Sequence, residues 1–186
     1  MTNVLLVATA FTPESLNYQW QKNCTNLVDG GNLSGIGRPY LILGMYAGIR
    51  PEELMRLDWS AVDLVTKTVK VDGKTRRRRI VPLEPKAVNL LASFPLRTGP
   101  IATSYSIVRR IKHKAAAILG FKDWPHDVLR HTAASYLLAL YGDAGKVSTM
   151  LGNSSAILLT HYHEPVSKAD CERFWATPQN PNDYCI

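Results

Sequence analysis

Residues Trp124 to His163 read WPHDVLRHTAASYLLALYGDAGKVSTMLGNSSAILLTHYH, and this stretch decides how the rest of the chain is understood. Leu129, Ala133, Tyr136, Leu137 and Leu140 recur at the spacing of one helix face. Asp127 stands before that helix as its N-cap, and Gly142 stops it. Asp143 caps a shorter helix that runs to Leu151, after which Gly152 suits the left-handed residue that ends a helix. Ser154 or Ser155 then caps a third helix bearing Leu158 and Tyr162. The pattern places Arg130 and His131 near the start of the first helix, Asn153 past the end of the second and Tyr162 near the end of the third.

Upstream, Thr12-Pro13-Glu14 is a helix start, and that helix runs to about Leu27. Asp29 to Asn32 and Ser34 to Gly37 form a glycine-rich loop. Tyr40 to Ala47 reads as a buried apolar helix ended by Gly48. Pro51 opens another, whose Leu54, Leu57 and Trp59 face a core. Arg50 sits at that junction. A cation beside a helix N-terminus opposes the dipole, so the position calls for a reason, and a bound phosphate supplies one. Glu53, one turn on, is placed to hold the Arg50 guanidinium, or simply to complement the dipole.

Thr66 to Val71 alternates like a half-buried strand, Asp72-Gly73 signals a hairpin turn, and Arg76 to Leu83 is the return strand. Arg76, Arg77, Arg78 and Arg79 are consecutive cations on it, two to each face, and phosphate contact is expected of them. Glu84-Pro85 starts a helix through Ala92. Tyr105 to Leu119 is amphipathic, with Ile107, Ile111, Ala115 and Ile118 inward and Arg109, Arg110, Lys112, His113 and Lys114 on a basic face that suits a DNA groove. Ser167 to Asp170 begins a last helix. Its stripe of Cys171, Phe174 and Trp175 has little chain left to cover it, and Gln179 onward is a tail. The class is mainly α with one small antiparallel sheet.

The chain has 186 residues, 46% hydrophobic and 20% charged, which suits one globular domain. Its net charge of +7 favours a polyanionic partner, nucleic acid before membrane. Cys24, Cys171 and Cys185 are odd in number and far apart, which argues against a zinc site or a disulfide framework and fits a reducing cytoplasm. No apolar run reaches membrane-spanning length. Asn3 to Phe11 is apolar, but without a basic flank it reads as a strand or helix entry rather than a signal peptide.

Arg130-His131-Thr132, then Leu151-Gly152-Asn153-Ser154, then Tyr162 nine residues after Asn153, resembles the catalytic motif of the tyrosine recombinases, the phage-integrase family. Gly48-Ile49-Arg50-Pro51-Glu52-Glu53-Leu54 resembles that family's first-arginine motif. No single motif is specific; together, in this order and spacing, they are. The resemblance spans roughly Thr12 to Pro178 and implies the fold of DNA breaking-rejoining enzyme catalytic domains over residues 1–178, with 179–186 a tail. It also implies that the family's N-terminal DNA-gripping domain has no room here. Lys74, at or beside the hairpin tip, is the candidate for the family's catalytic lysine, with Lys70 the alternative.

The chemistry implied is strand cleavage by Tyr162 through a 3′-phosphotyrosyl link, with Arg50 and Arg130 clamping the phosphate oxygens. Arginine suits that task because its planar fork donates two hydrogen bonds and keeps its charge. Two positions depart from the family. Asp127 stands where a histidine or lysine is usual and is read as a capping residue outside the catalytic set. Asn153 stands where a histidine or tryptophan is usual; it can donate a hydrogen bond but cannot act as acid or base. His131 either reaches the phosphate or packs under Arg130. His161 and His163 flank Tyr162 without a third metal ligand, and neither metal nor cofactor is expected.

The function expected is a site-specific recombinase or integrase acting on double-stranded DNA in the cytoplasm. It would assemble as a tetramer on that DNA, with the last helix docking on a neighbour, or on its own body when alone. The rivals are strand relaxation of the type IB topoisomerase kind and a DNA-binding module that no longer cleaves.

Overall fold

The computed structural model describes residues 37–73, 78–95, 97–118, 122–124, 126–154, 156, 158 and 166–176. The expected first helix, Lys74, Arg76, Arg77, His161, Tyr162, His163 and the tail lie outside the described residues.

Helix α1, Arg38–Ala47, is the centre of the molecule: every residue from Pro39 to Ala47 is buried. Gly48 ends it with φ 62°, the left-handed conformation that costs a glycine nothing. Helix α2, Pro51–Leu54, is a single turn. The expected helix through Trp59 therefore stops early. Leu57 and Trp59 still reach the core, from the following turn and from a 3-10 helix, Trp59–Ala61, where Asp58 accepts from the Ser60 N–H at 2.9 Å. That turn is tied to a distant loop, Trp59 N–H to Gly99 O and Ile101 N–H to Leu57 O, both 2.9 Å.

Strands β1 (Val62–Asp63), β2 (Thr68–Asp72) and β3 (Arg78–Pro82) form one antiparallel sheet in that order. The hairpin was expected and β1 was not; a two-residue strand carries no alternation to read. Asp72 pairs with Arg78, so the turn is longer than the two-residue one that Asp72-Gly73 suggests. Val71 pairs with Arg79 and Val69 with Val81, so these four share the inner face. Lys70, Arg78 and Ile80 face water.

Helices α3 (Pro85–Ala92), α4 (Tyr105–Ile118), α5 (Val128–Tyr141), α6 (Ala144–Leu151) and α7 (Lys168–Trp175) follow. Helix α4 turns Val108, Ile111 and Ala115 inward as its periodicity requires. Leu140, expected on the core face of α5, is exposed near that helix's end. The valines of the sheet, Leu54, Leu57, Trp59 and the inner faces of α3 and α4 close around α1. A second core lies between α5 and α6, where Ala133, Leu137, Val147, Leu151 and Leu158 meet.

The stripe on α7 lies against the chain's own body, the alternative expected of the chain when alone. Phe174 stacks on Tyr136 with ring centroids 3.8 Å apart, and the Trp175 indole N–H donates to Tyr136 O at 3.2 Å. Buried Lys86 of α3 donates to Phe174 O at 2.6 Å and lies over the Tyr46 and Phe174 rings. Burial pulls its ammonium down to about 8, and the carbonyl and ring faces are what offset that cost.

Asp127 occupies the N-cap position of α5 but does not cap it. Its φ is 51° and its side chain makes no capping hydrogen bond. A capping side chain reaches the first-turn N–H groups from an extended backbone, and the left-handed conformation turns it away. Asp143, with φ −124°, does cap α6, accepting from the Lys146 N–H at 2.9 Å.

Candidate active site

Arg50 is the residue before α2, and Glu53 one turn later accepts its backbone N–H at 3.1 Å. One arm of the side chain, Nη1, stays with Glu53 of α2 at 3.3 Å, and the other leaves that helix. Its Nη2 donates to Gly152 O at 2.8 Å and to Asn153 Oδ1 at 2.5 Å, at the far end of α6. This changes the electrostatic argument. The charge lies at a helix C-terminus, where the dipole and unpaired carbonyls favour a cation.

Arg130, in the first turn of α5, is buried. Its Nη2 donates to Leu151 O at 2.7 Å and its Nη1 to Gly48 O. Two arginines from motifs far apart in sequence thus end on neighbouring carbonyls, Leu151 and Gly152. Both glycine turns serve the site: Gly48 exposes its carbonyl to Arg130, and Gly152, with φ 67°, exposes its own to Arg50.

Glu53 is buried and shared. Oε1 accepts from Arg79 Nη1 at 2.8 Å and Arg50 Nη1 at 3.3 Å, while Oε2 accepts from Arg79 Nη2 at 2.7 Å. Burial works to raise the Glu53 carboxyl, but the hydrogen bonds and charge of Arg79, then those of Arg50, outweigh it and hold the group below the usual carboxylate range. Arg79 also donates through Nε to Met150 O at 3.0 Å. Arg79, expected to meet a phosphate, lies on the inner face of the sheet and donates to protein acceptors. Alternation counted back from Val81 is the signal that separates it from its neighbours. That signal shows Arg79 facing inward, but not that Glu53 is there to meet it.

The other expected DNA contacts divide. Arg78, Arg109 and Arg110 are exposed, Arg78 in an open pair with Asp72. Lys112 and Lys114 are half-buried. The Lys112 ammonium lies 5.7 Å from the centre of the Tyr40 ring. Burial lowers its pKa against the opposing charges of Asp127 and Glu52. Tyr40, Lys112, Trp124, Asp127 and Arg130 line one small depression at the start of α5. Burial there, then the Asp127 charge, pushes the Tyr40 hydroxyl up to about 12. His131 is half-buried on the same turn of α5. Asn153 takes Arg50 on its amide oxygen, which leaves the NH2 group as its donor. The chain past Asn153 begins a helical turn, Leu158 N–H to Ser154 O at 3.0 Å. Among the described residues no group of three His, Cys, Asp or Glu is placed to hold a metal ion, and no helix is long and apolar enough to cross a membrane.

A helical body with a small three-stranded antiparallel sheet is the fold that the solved recombinase structures share with this chain. Residues 36–168 match the phage integrase family, and the chain belongs to it. Tyrosine recombinase XerC of Xanthomonas axonopodis pv. citri is 33% identical over 121 residues, covering 58% of this chain and 40% of that one. XerC of Corynebacterium glutamicum is 32% identical over 145 residues, 70% of this chain and 47% of that one. The matched part thus spans less than half the length of these relatives. In fold, the chain is similar to XerH bound to its palindromic difH substrate in a post-cleavage complex, with TM-score 0.66, 17% identity, and 88% and 51% of the two chains covered. It is also similar to the XerA recombinase, with TM-score 0.61, 20% identity, and 88% and 61% covered.

Proposed function

We propose that this chain cleaves and rejoins DNA strands in site-specific recombination, with Tyr162 as the nucleophile. The observation that carries the reading is the convergence of Arg50 and Arg130 on the Leu151 and Gly152 carbonyls. Family membership supports it.

Tyr162 gives its phenolic proton to solvent and its Oη forms a bond to phosphorus as the bond to the 5′ oxygen breaks, leaving a 3′-phosphotyrosine and a 5′ hydroxyl. A phenol is only ~0.1% ionised at pH 7, so the attack needs cations around it. Arg50 and Arg130 neutralise the charge on the equatorial oxygens; losing one such donor typically costs about a hundred- to thousandfold in rate. Lys74 gives the proton to the departing oxygen, and Asn153 donates a hydrogen bond to the phosphate. Attack by a 5′ hydroxyl reverses the steps and needs no energy source, because the phosphotyrosine keeps the bond energy.

Arg76, Arg77, Arg78, Arg109 and Arg110, with Lys112 and Lys114, supply the contacts to double-stranded DNA. Copies assemble as a tetramer on it, with α7 as the exchangeable contact, and the work is done in the cytoplasm.

Incubation with a nicked suicide substrate tests this. A covalent protein–DNA band is expected from the parent in the presence of EDTA, and none from Tyr162→Phe. An adduct that persists in Tyr162→Phe, or that requires magnesium, overturns the assignment. One observation favours a second reading, a DNA-binding module that no longer cleaves: the Asn153 oxygen is bound to Arg50 and a carboxylate, Asp127, stands at the start of the Arg130 helix. Tight DNA binding without any adduct would establish that reading instead.

A further inference from the structure

All three kinds of guanidinium nitrogen in Arg79 donate inward, two to Glu53 and Nε to Met150 O. Glu53 passes the constraint on. The oxygen that takes Arg79 Nη2 also takes the Arg50 backbone N–H, and the one that takes Arg79 Nη1 also takes Arg50 Nη1. The Arg79 bonds, at 2.7 and 2.8 Å, are parallel and short, the geometry that fixes a carboxylate plane. Those from Arg50, at 3.1 and 3.3 Å, are longer. The orientation of the carboxylate is therefore set by Arg79 and felt by Arg50.

Arg79 also touches the other end of the same chain. A Cβ added to Gly152 would lie 3.2 Å from Arg79 Cδ and 3.3 Å from its Nε, so the guanidinium stem packs directly against the turn whose carbonyl and Asn153 side chain receive Arg50. Finally, Arg79 belongs to β3, the strand that follows Lys74 in sequence, and through Met150 O it ties that strand to α6.

From this geometry we infer that Arg79 is a positioning residue of the cleavage site: it orients Glu53, and through it Arg50, while tying β3 to the end of α6. The inference rests on the strand-cleavage reading above, and it places Arg79 outside the set of DNA contacts.

Arg79→Lys keeps the charge and removes the fork. Three measurements on the folded variant are compared with the parent: adduct formation at saturating suicide substrate, DNA affinity as a function of salt, and the 15N-edited NMR signals of the Arg50 guanidinium. Adduct formation is expected to slow about a hundredfold, the scale for a displaced catalytic group. Affinity and salt slope should stay at parent values, and the Arg50 signals should lose their restrained character. Weaker affinity at an unchanged salt slope, with cleavage restored to the parent rate at saturation, overturns the inference by making Arg79 a phosphate contact that needs the fork. So does parent-rate cleavage by the folded variant. If the parent itself forms no adduct, the cleavage reading fails and the NMR arm alone decides: unchanged Arg50 signals in Arg79→Lys overturn the positioning role, and altered ones uphold it. Should Arg79→Lys not fold, the double variant Arg79→Gln with Glu53→Gln takes its place, with the same slow cleavage at parent affinity expected and the same outcomes overturning it.

Discussion

On β3, Arg78 pairs with Asp72 across the hairpin with both side chains open to water, 86% and 72% exposed. Arg79, the next residue, pairs with Glu53 beneath the sheet, where the two are 13% and 5% exposed. The chemistry of the two pairs is the same and the surroundings are not. In water the attraction is screened and ordering two long side chains offsets most of it. Beneath the sheet the pair is desolvated, so each charge depends on the other: removing one leaves an uncompensated ion in a poor solvent. The difference also sorts function. A cation in water is open to an outside partner, whereas a cation inside the protein is committed to protein acceptors.

The strongest test of that contrast removes one partner. Arg79→Ala or Glu53→Ala should each lose about 3–5 kcal/mol of stability in urea unfolding, whereas the double variant Arg79→Met with Glu53→Met should lose less than either alone. A comparable loss from Arg78→Ala would dissolve the distinction.

Acid probes the same pair without mutation. The folded Glu53 pKa is held below the ordinary value of about 4.3. Its stabilisation is therefore full above that value and disappears as pH falls through the lower, folded one. Stability measured from pH 7 to 3 should fall more steeply in the parent than in Glu53→Gln. Parallel curves would mean Arg79 contributes nothing through charge.

Gly152→Ala tests the inner side from the turn. The residue has φ 67° and the new methyl would press on Arg79, so a loss of about 1–3 kcal/mol is expected. Thermal unfolding indistinguishable from the parent would show that Arg79 is free to move.

Smaller effects belong to the aspartates at the helix starts. Asp143→Ala should cost about 1 kcal/mol through its cap, and Asp127→Ala almost nothing of that kind. Equal losses would remove the significance of Asp127's left-handed backbone.

The smallest stability change should come from Arg78→Ala, under about 1 kcal/mol. Its effect should appear in DNA binding instead, as a salt slope reduced by about 0.9. An unchanged slope would take Arg78 off the DNA surface.

Much of this was legible in residues alone. Apolar spacing located α4 and α5 to within a residue or two, because a helix buries one stripe and the stripe repeats. Gly48, Gly142 and Gly152 marked helix ends because each takes a positive φ there. The Asp143 cap was readable for the same local reason. Asp127 was not: the cap preference describes an extended backbone, and nothing near Asp127 in sequence announces φ 51°. The single turn of α2 was also hidden, since Leu57 and Trp59 are apolar whether they lie on a helix or in the turn after it.

The sequence by itself determined the helical class, the hairpin, the order of the motifs and the family to which they belong. These follow from local periodicity and fixed spacing, which a linear chain displays. The tertiary structure alone decided which cations face water, where the Arg50 charge is placed and what covers α7. Those outcomes depend on partners that the sequence keeps far away: Glu53 for Arg79, the end of α6 for Arg50, Tyr136 and Lys86 for Phe174. A charged side chain is disposed of by whichever acceptor folding brings within about 3 Å, and that distance exists only once the chain has closed on itself.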